Sequence, residues 1–267
     1  MMRNIFLKNF QDQRISLLWW SLGMFIAGAM MVSYFPTIKE GAQAFDEMLI
    51  NMPKAIIAAF GTSGIPSMST YEGFLQIEFF GFLGPALVII FAILRGNDVI
   101  AGEEKKGTLE LLIALPINRS SVIIQKFFCI LLSSIIFALI LWGTMGIGAQ
   151  LMDITINTVF LSYQLLHLML LGLVFCTGTI MLSVTPYRKL SGAGIVGGLA
   201  VLTHLANGFL GLSESLAWIR MFSPFYYYSN SNPLVNGFHA PHILILLLII
   251  SFFFISSILL FRKMEIR

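Results

Sequence analysis

Six long apolar stretches punctuate the chain, at 15–35, 74–94, 122–147, 165–184, 191–212 and 243–261. Each is close to the 20 or so residues that a helix needs to cross a bilayer. None shows the strict alternation of a membrane barrel strand, so all six read as helices. Gly and Pro inside them are tolerable, because neighbouring helices satisfy freed backbone groups. Between the stretches the pattern changes character. In residues 1–14, Met2, Phe6 and Phe10 recur every fourth position with Arg3, Lys8, Gln11 and Arg14 between them. That spacing predicts an amphipathic helix lying at the membrane interface, with a frayed terminus as the plainer reading. Residues 36–73 carry two helical apolar stripes, Phe45, Met48, Leu49 and Met52, then Ile56, Ile57 and Phe60, punctuated by Pro36, Pro53 and Pro66. Short amphipathic helices are expected there, either packed on the spans or forming a lid. Residues 213–242 hold Trp218, Phe222, Phe225 and Tyr226 to Tyr228, which suit a membrane–water boundary. Pro224 and Pro233 cut that segment into short pieces, and Asn230, Asn232 and Asn236 are turn residues.

Composition sharpens this picture. Of 267 residues, 57% are hydrophobic and 11% charged, and the mean hydropathy is +0.87. A soluble domain carries roughly 25% charged residues, so the chain is an integral membrane protein. The basic residues then set its orientation. With both termini inside, the inner side holds Arg3, Lys8, Arg14, Arg95, Lys105, Lys106, Arg119, Lys126, Arg188, Lys189, Arg262, Lys263 and Arg267. Lys39, Lys54 and Arg220 stay outside, and these account for all 16 Lys and Arg. Cytoplasmic loops favour these residues. The fold class expected is therefore an all-α integral membrane protein of six transmembrane helices. Both termini are cytoplasmic, with an N-terminal interfacial helix (1–14) and short outer helices (36–73 and 213–242). Residues 1–267 form a single permease-like membrane domain with no internal repeat. Ala27-Gly28-Ala29 resembles a signal-peptidase site, but the apolar run continues through Met30 to Val32 and favours an uncleaved anchor.

Finer signals follow. The short inner turn at 185–190 requires the fourth and fifth spans to be antiparallel neighbours. Gly194 and Gly198 form a small-xxx-small pair, which marks the fifth span as a packing face. Cys129 and Cys176 lie in apolar runs, so neither a disulfide framework nor a zinc site is expected. Intramembrane polar groups are functional candidates. Glu78, Gln164 and His204 are the candidates for a substrate path, against the plainer reading of interhelical hydrogen bonding. His239 and His242 are close in sequence but lack further metal ligands.

The segment 95–121 carries the most information. Glu103 and Glu104 suit a helix N-terminus, and Leu109, Leu111, Leu112 and Leu115 supply an apolar face. Pro116 ends the helix, and Asn118 with Ser120 can cap the next one. Such a helix either receives a push from a soluble partner or merely anchors at the headgroups. Gly102 and Gly107-Thr108 have P-loop-like spacing, but the lysine that should follow Gly107 is missing and two glutamates would repel phosphate. No HExxH or GxSxG motif is present, and no span contains an Asp pair.

The wording from Glu103-Glu104-Lys105-Lys106-Gly107-Thr108-Leu109-Glu110-Leu111-Leu112 to Leu115-Pro116 and Asn118-Arg119 resembles the inner loop of type-2 ABC exporter permeases. The topology resembles that family over nearly the whole chain, although this chain has no large extracellular domain and no fused ATPase. The resemblance implies an ABC transporter permease subunit whose 95–121 loop docks on a separate ABC ATPase. Glu103, Glu104, Gly107, Thr108, Leu109, Glu110, Leu112, Pro116 and Arg119 would face or shape that docking surface. It implies a second permease subunit, in a homodimer or heterodimer, and export across the bacterial cytoplasmic membrane. No cofactor is expected on this chain, and no catalytic residue. ATP and Mg would sit in the partner ATPase. Membrane lipids are the other expected contact, and nucleic acid is not. The alternative is a non-transporting membrane scaffold or immunity-type protein that senses a peptide or lipid.

Overall fold

A computed structural model describes residues 5–52, 67–109, 118–185, 192–210 and 216–263. Among these residues all regular structure is helical. The main helices are α1 (Ile5–Asn51), α2 (Tyr71–Asp98), α4 (Arg119–Leu151), α5 (Thr158–Ser183), α6 (Gly192–Phe209) and α9 (Ala240–Arg262). All six are long and apolar enough to cross a membrane. The short helices are α3 (Ala101–Lys105), α7 (Pro224–Ser229) and α8 (Pro233–Asn236), with a 3-10 turn at Ala217–Phe222.

The six spans lie where the apolar stretches place them. Helix α5 is the axis of the bundle, packed mainly against α2 and α9 and also against α4, α6, α7 and α8. Leu161, Leu165, Leu168 and Leu171 are all buried along it, as are Gln164 and His167. Close approach of α2 and α5 depends on glycine. A Cβ at Gly96 would lie 2.7 Å from the Cys176 carbonyl oxygen, and one at Gly172 would lie 2.4 Å from Val88 Cγ1. Small residues are the usual device for bringing membrane helices together. Of the expected pair Gly194 and Gly198, Gly198 faces open space within this chain, as does its neighbour Gly197. The close packing falls at Gly96 and Gly172 because the first faces the central helix and the second lies on it, whereas α6 sits at the rim.

Helix α1 corrects two boundaries. The amphipathic stretch at 1–14 is not a separate element; from Ile5 it forms the opening turns of one helix that continues through the first span. Nor does the helix stop at Pro36, which lies inside it. A proline removes one backbone hydrogen bond, and membrane helices tolerate that loss. The first part of the outer segment, through Asn51, is therefore an extension of α1. The stripe at Ile56, Ile57 and Phe60 lies outside the described residues, as does most of the 185–190 turn. The end of α1 is held to the start of α2 by Asp46. Its carboxylate accepts from Ser67 Oγ (2.7 Å), Ser69 Oγ (2.7 Å) and the Met68 N–H (2.6 Å). Burial alone would raise the Asp46 pKa, but these donors outweigh it and hold the carboxyl below its usual range.

Two π-helical segments interrupt the spans, at Gln76–Leu83 in α2 and Gly143–Ile147 in α4. The first leaves a carbonyl to satisfy. The Gly84 N–H bonds back to the Phe79 carbonyl, five residues earlier. In that register the Phe80 carbonyl faces Pro85, which has no N–H. The Tyr228 hydroxyl of α7 donates to it instead, at 2.8 Å. Pro224 and Pro233 both begin short helices, in keeping with their place in the outer segment.

Candidate functional site

The two ends of the bundle are built differently. The basic end gathers the start of α1, the α2–α3 connection, the start of α4 and the end of α9. The Phe6 N–H donates to Gln125 Oε1 (3.0 Å), and Arg95 donates to the Ser16 hydroxyl. Arg262 Nε donates to Ser120 Oγ (2.7 Å). Arg95 also pairs with Asp98 at 3.4 Å.

At the centre of this end lies the charged loop. Helix α3 ends in a Schellman arrangement: the Gly107 N–H bonds to the Glu104 carbonyl and the Thr108 N–H to the Glu103 carbonyl. Gly107 has φ +66, the left-handed conformation that glycine adopts without strain. The backbone N–H groups of Glu104, Lys106, Gly107 and Thr108 are all committed to internal bonds. They therefore cannot cradle a phosphate in the manner of a P-loop.

Lys126 fixes this loop to the third span. It is 3% exposed, and its ammonium donates to Glu103 Oε1 (2.8 Å) and to the Val99 carbonyl (2.9 Å). Thr108 Oγ1 donates to the other Glu103 oxygen. Burial raises the Glu103 pKa, but the Lys126 and Thr108 hydrogen bonds and the Lys126 and Lys106 charges bring it below the usual carboxylate range. Two donors, Lys126 on α4 and Thr108 after α3, thus converge on one carboxylate.

The predicted loop residues divide by role. Glu103, Thr108 and the buried Leu109 face inward and set the shape of the loop. Glu104 and Gly107 are exposed with Lys105 and Lys106, and they present a charged outer surface. Arg119 opens α4, capped by Asn118, whose side-chain oxygen accepts from the Ser120 N–H at 3.1 Å. Glu110, Leu112 and Pro116 lie outside the described residues. The role of Lys126 was missed in the sequence because it reads as one more interfacial cation; its burial follows from the fold of the loop over it.

The three substrate-path candidates do not form one group. Glu78 is exposed on α2, and it lies in the π segment one turn before Phe82. Phe82 is 62% exposed and its ring meets that of His204 on α6 at 5.9 Å. His204 also meets Phe225 at 4.9 Å. Glu78 and His204 therefore border the same α2–α6 face. Gln164 is fully buried on α5, in a different neighbourhood.

Between α6 and α9 an apolar crevice of about 700 Å³ opens, with α5 as its floor and the 221–227 segment as its roof. Val174, Gly178 and Leu182 line the floor, Val196 and Leu199 one wall, and Leu248 and Phe252 the other. Tyr227 and Phe222 stand at the roof. Such a lining accepts hydrocarbon and offers almost nothing to a polar solute.

At this aromatic end several buried polar atoms have no partner, including His167 Nε2 and His242 Nδ1, while the buried Gln164 amide lies beside the Tyr228 hydroxyl. An unpaired buried polar atom costs about 1–3 kcal/mol. Among the described residues no three His, Cys, Asp or Glu side chains are placed to share a metal ion.

Residues 3–266 match the model of a family described as ABC-2 family transporter protein. No curated protein matches the chain.

Proposed function

This chain belongs to the ABC-2 transporter family, and on that premise we propose that it couples ATP hydrolysis by a separate ATPase subunit to export across the bacterial cytoplasmic membrane. It is a multi-pass membrane protein and a permease of an ABC transporter. The finer assignment is carried by one observation: a charged, capped helix is bonded through Glu103 and the buried Lys126 to the helix that follows it. A force on the exposed side of α3 reaches α4 through that bond rather than dissipating in a loose loop. The exposed Glu104, Lys105, Lys106 and Gly107 are the part available to an ATPase; the docking role of Glu110, Leu112, Pro116 and Arg119 rests on the resemblance to type-2 ABC permeases. ATP and Mg sit in that partner. A ligand-driven change requires that the ATPase bind one permease conformation better than another.

Two permease copies, identical or related, complete the unit. The α2–α6 face bearing Glu78 and His204 is the proposed substrate path. A carboxylate inside a membrane span is costly unless it meets a partner or a watery route, and Glu78 is exposed on this chain. The apolar crevice and aromatic roof suit a hydrophobic or amphipathic substrate. Orientation follows the basic end, which lies toward the cytoplasm.

The decisive test is co-purification in mild detergent with the products of neighbouring genes. An ATPase is expected to accompany the chain, and Glu104→Arg combined with Leu112→Asp is expected to release it while the permease stays folded. Failure of any ATPase to bind a folded chain would overturn the assignment. Binding without ATP-dependent movement of substrate into vesicles would assign the non-transporting scaffold instead.

A further inference from the structure

Arg220 lies at the aromatic end of the bundle, in the 3-10 turn Ala217–Phe222. Among the described residues no carboxylate pairs with it; the ion pairs there, Arg95–Asp98 and Lys126–Glu103, both lie at the basic end. Its Nε donates to Asn207 Oδ1 on α6 at 3.4 Å, and its guanidinium lies over the Tyr226 ring at 5.5 Å. Asn207 is itself buried, and its amide donates to the Ser229 hydroxyl at 3.3 Å. The guanidinium is therefore held from two sides. Only one of its N–H groups is bonded among the described residues, and that bond is long.

The same turn closes the apolar crevice. Met221 and Phe222, which follow Arg220 directly, line it, as does Thr203, one helical turn before Asn207 on α6. Trp218 and Phe222 meet edge to face at 6.0 Å, and both are exposed. Aromatic side chains so placed mark the headgroup level of a bilayer. From Asn207 to Val196, the deepest α6 residue of the crevice, the helix descends about 16 Å. One leaflet supplies about 15 Å of hydrocarbon, half of the core. The crevice also opens sideways, since Leu199, Leu248 and Phe252 on its walls are exposed. An acyl chain can therefore enter from the bilayer without crossing the bundle.

We propose that Arg220 and this crevice together hold one phospholipid from the leaflet at the aromatic end, with its phosphate on the guanidinium and one acyl chain along the crevice. Each half of the site answers one half of that molecule. Arginine presents paired N–H donors that match two phosphate oxygens. The crevice lining offers a hydrocarbon surface and almost no polar contact. A free anion would use Arg220 alone, and a neutral glyceride would use the crevice alone. Only a phospholipid satisfies both across the depth of one leaflet. This inference deepens the reading of the crevice as a site for an amphipathic molecule. It needs neither ATP nor a partner ATPase, so it holds or fails apart from the coupling assignment.

The test is native mass spectrometry of the full chain, stripped of lipid in detergent and titrated with dioleoyl phosphatidylglycerol, dioleoylglycerol or inorganic phosphate. Phosphatidylglycerol is expected to saturate at one copy per chain. Dioleoylglycerol has the same chains and no phosphate, and is expected to bind about tenfold more weakly, the equivalent of one charged hydrogen bond. Arg220→Gln is expected to weaken phosphatidylglycerol by a similar factor and to leave dioleoylglycerol unchanged. Leu199→Trp, which fills the crevice, is expected to weaken both. Inorganic phosphate is expected to displace neither. Where Arg220→Gln does not fold, the comparison of the two lipids on the parent chain decides. Equal affinity for the two lipids would overturn the proposal, as would unchanged phosphatidylglycerol binding in folded Arg220→Gln. Uptake that never saturates would mark the lipid as annular, and displacement by inorganic phosphate would mark a simple anion site; either result overturns it too.

Discussion

The basic and aromatic ends of this bundle handle buried polar groups in opposite ways. At the basic end, Lys126, Glu103, Thr108 and the Val99 carbonyl satisfy one another across two helices and a turn. At the aromatic end, the imidazoles of His167, His239 and His242 each keep an unpaired ring nitrogen. A charge-assisted hydrogen bond is roughly twice as strong as a neutral one, and losing one partner of a buried pair is costly. The first end is thus fixed in one geometry. The second sits closer to the free energy of alternatives, because polar atoms without partners gain when the packing opens to water. Under the proposed coupling, the fixed end would receive the push and the other end would rearrange.

Substitutions that swap polar for apolar groups at each end put that contrast under strain. The largest effect belongs to Lys126→Ala. It leaves the partly buried Glu103 carboxylate with Thr108 alone and the Val99 carbonyl without its Lys126 donor, and the loss is about 2–4 kcal/mol, discounted from a fully buried pair because Glu103 is partly solvated. Thermal unfolding in detergent reads it directly. Adding Glu103→Gln should cost much less than a second such loss, since both changes strike one network.

The opposite sign is expected at the other end. Gln164→Leu keeps similar volume and removes a buried amide whose one polar neighbour, the Tyr228 hydroxyl, already donates to the Phe80 carbonyl, so stability should hold or rise by about 1 kcal/mol. A loss above about 2 kcal/mol would show that Gln164 is satisfied and that the contrast between the ends is false.

The smallest effect concerns the Asp46 clasp, which lies at neither buried network. Its carboxyl is held below the usual range, so its contribution is present above the unfolded value near 3.9 and is lost as pH falls through the folded value. Asp46→Asn should cost less than about 1 kcal/mol at neutral pH, because the site is half-exposed. Limited proteolysis between α1 and α2 should quicken in that variant, and the difference from the parent chain should vanish in acid.

Much of the architecture was legible before any coordinates. Apolar length alone located all six spans, because only a helix satisfies its own backbone in hydrocarbon. The cap at Asn118, the breaks at Pro224 and Pro233 and the aromatic boundary at 218–228 were also readable, since each acts through neighbours in sequence. The continuity of α1 through Pro36 was not. A proline usually ends a helix, and only its surroundings decide otherwise. The π register of Gln76–Leu83 and its hydrogen bond to Tyr228 depend on a residue nearly 150 positions away. The same limit applies to function. Glu103 was visible as part of a charged loop, but the burial of Lys126 against it was not. His239 and His242 were visible as a pair, but the burial of His167 on α5 was not.

One feature of α1 has a mechanical meaning. Its 47 residues form an unbroken rod of roughly 70 Å, joined near one end to Gln125 on α4 and at the other to the Ser67–Ser69 turn. A tilt of about 5° in such a rod displaces its far end by roughly 6 Å. The first helix is therefore a lever arm. It can magnify a small rotation beside the charged loop into a shift of a whole helical turn on the other side of the bilayer.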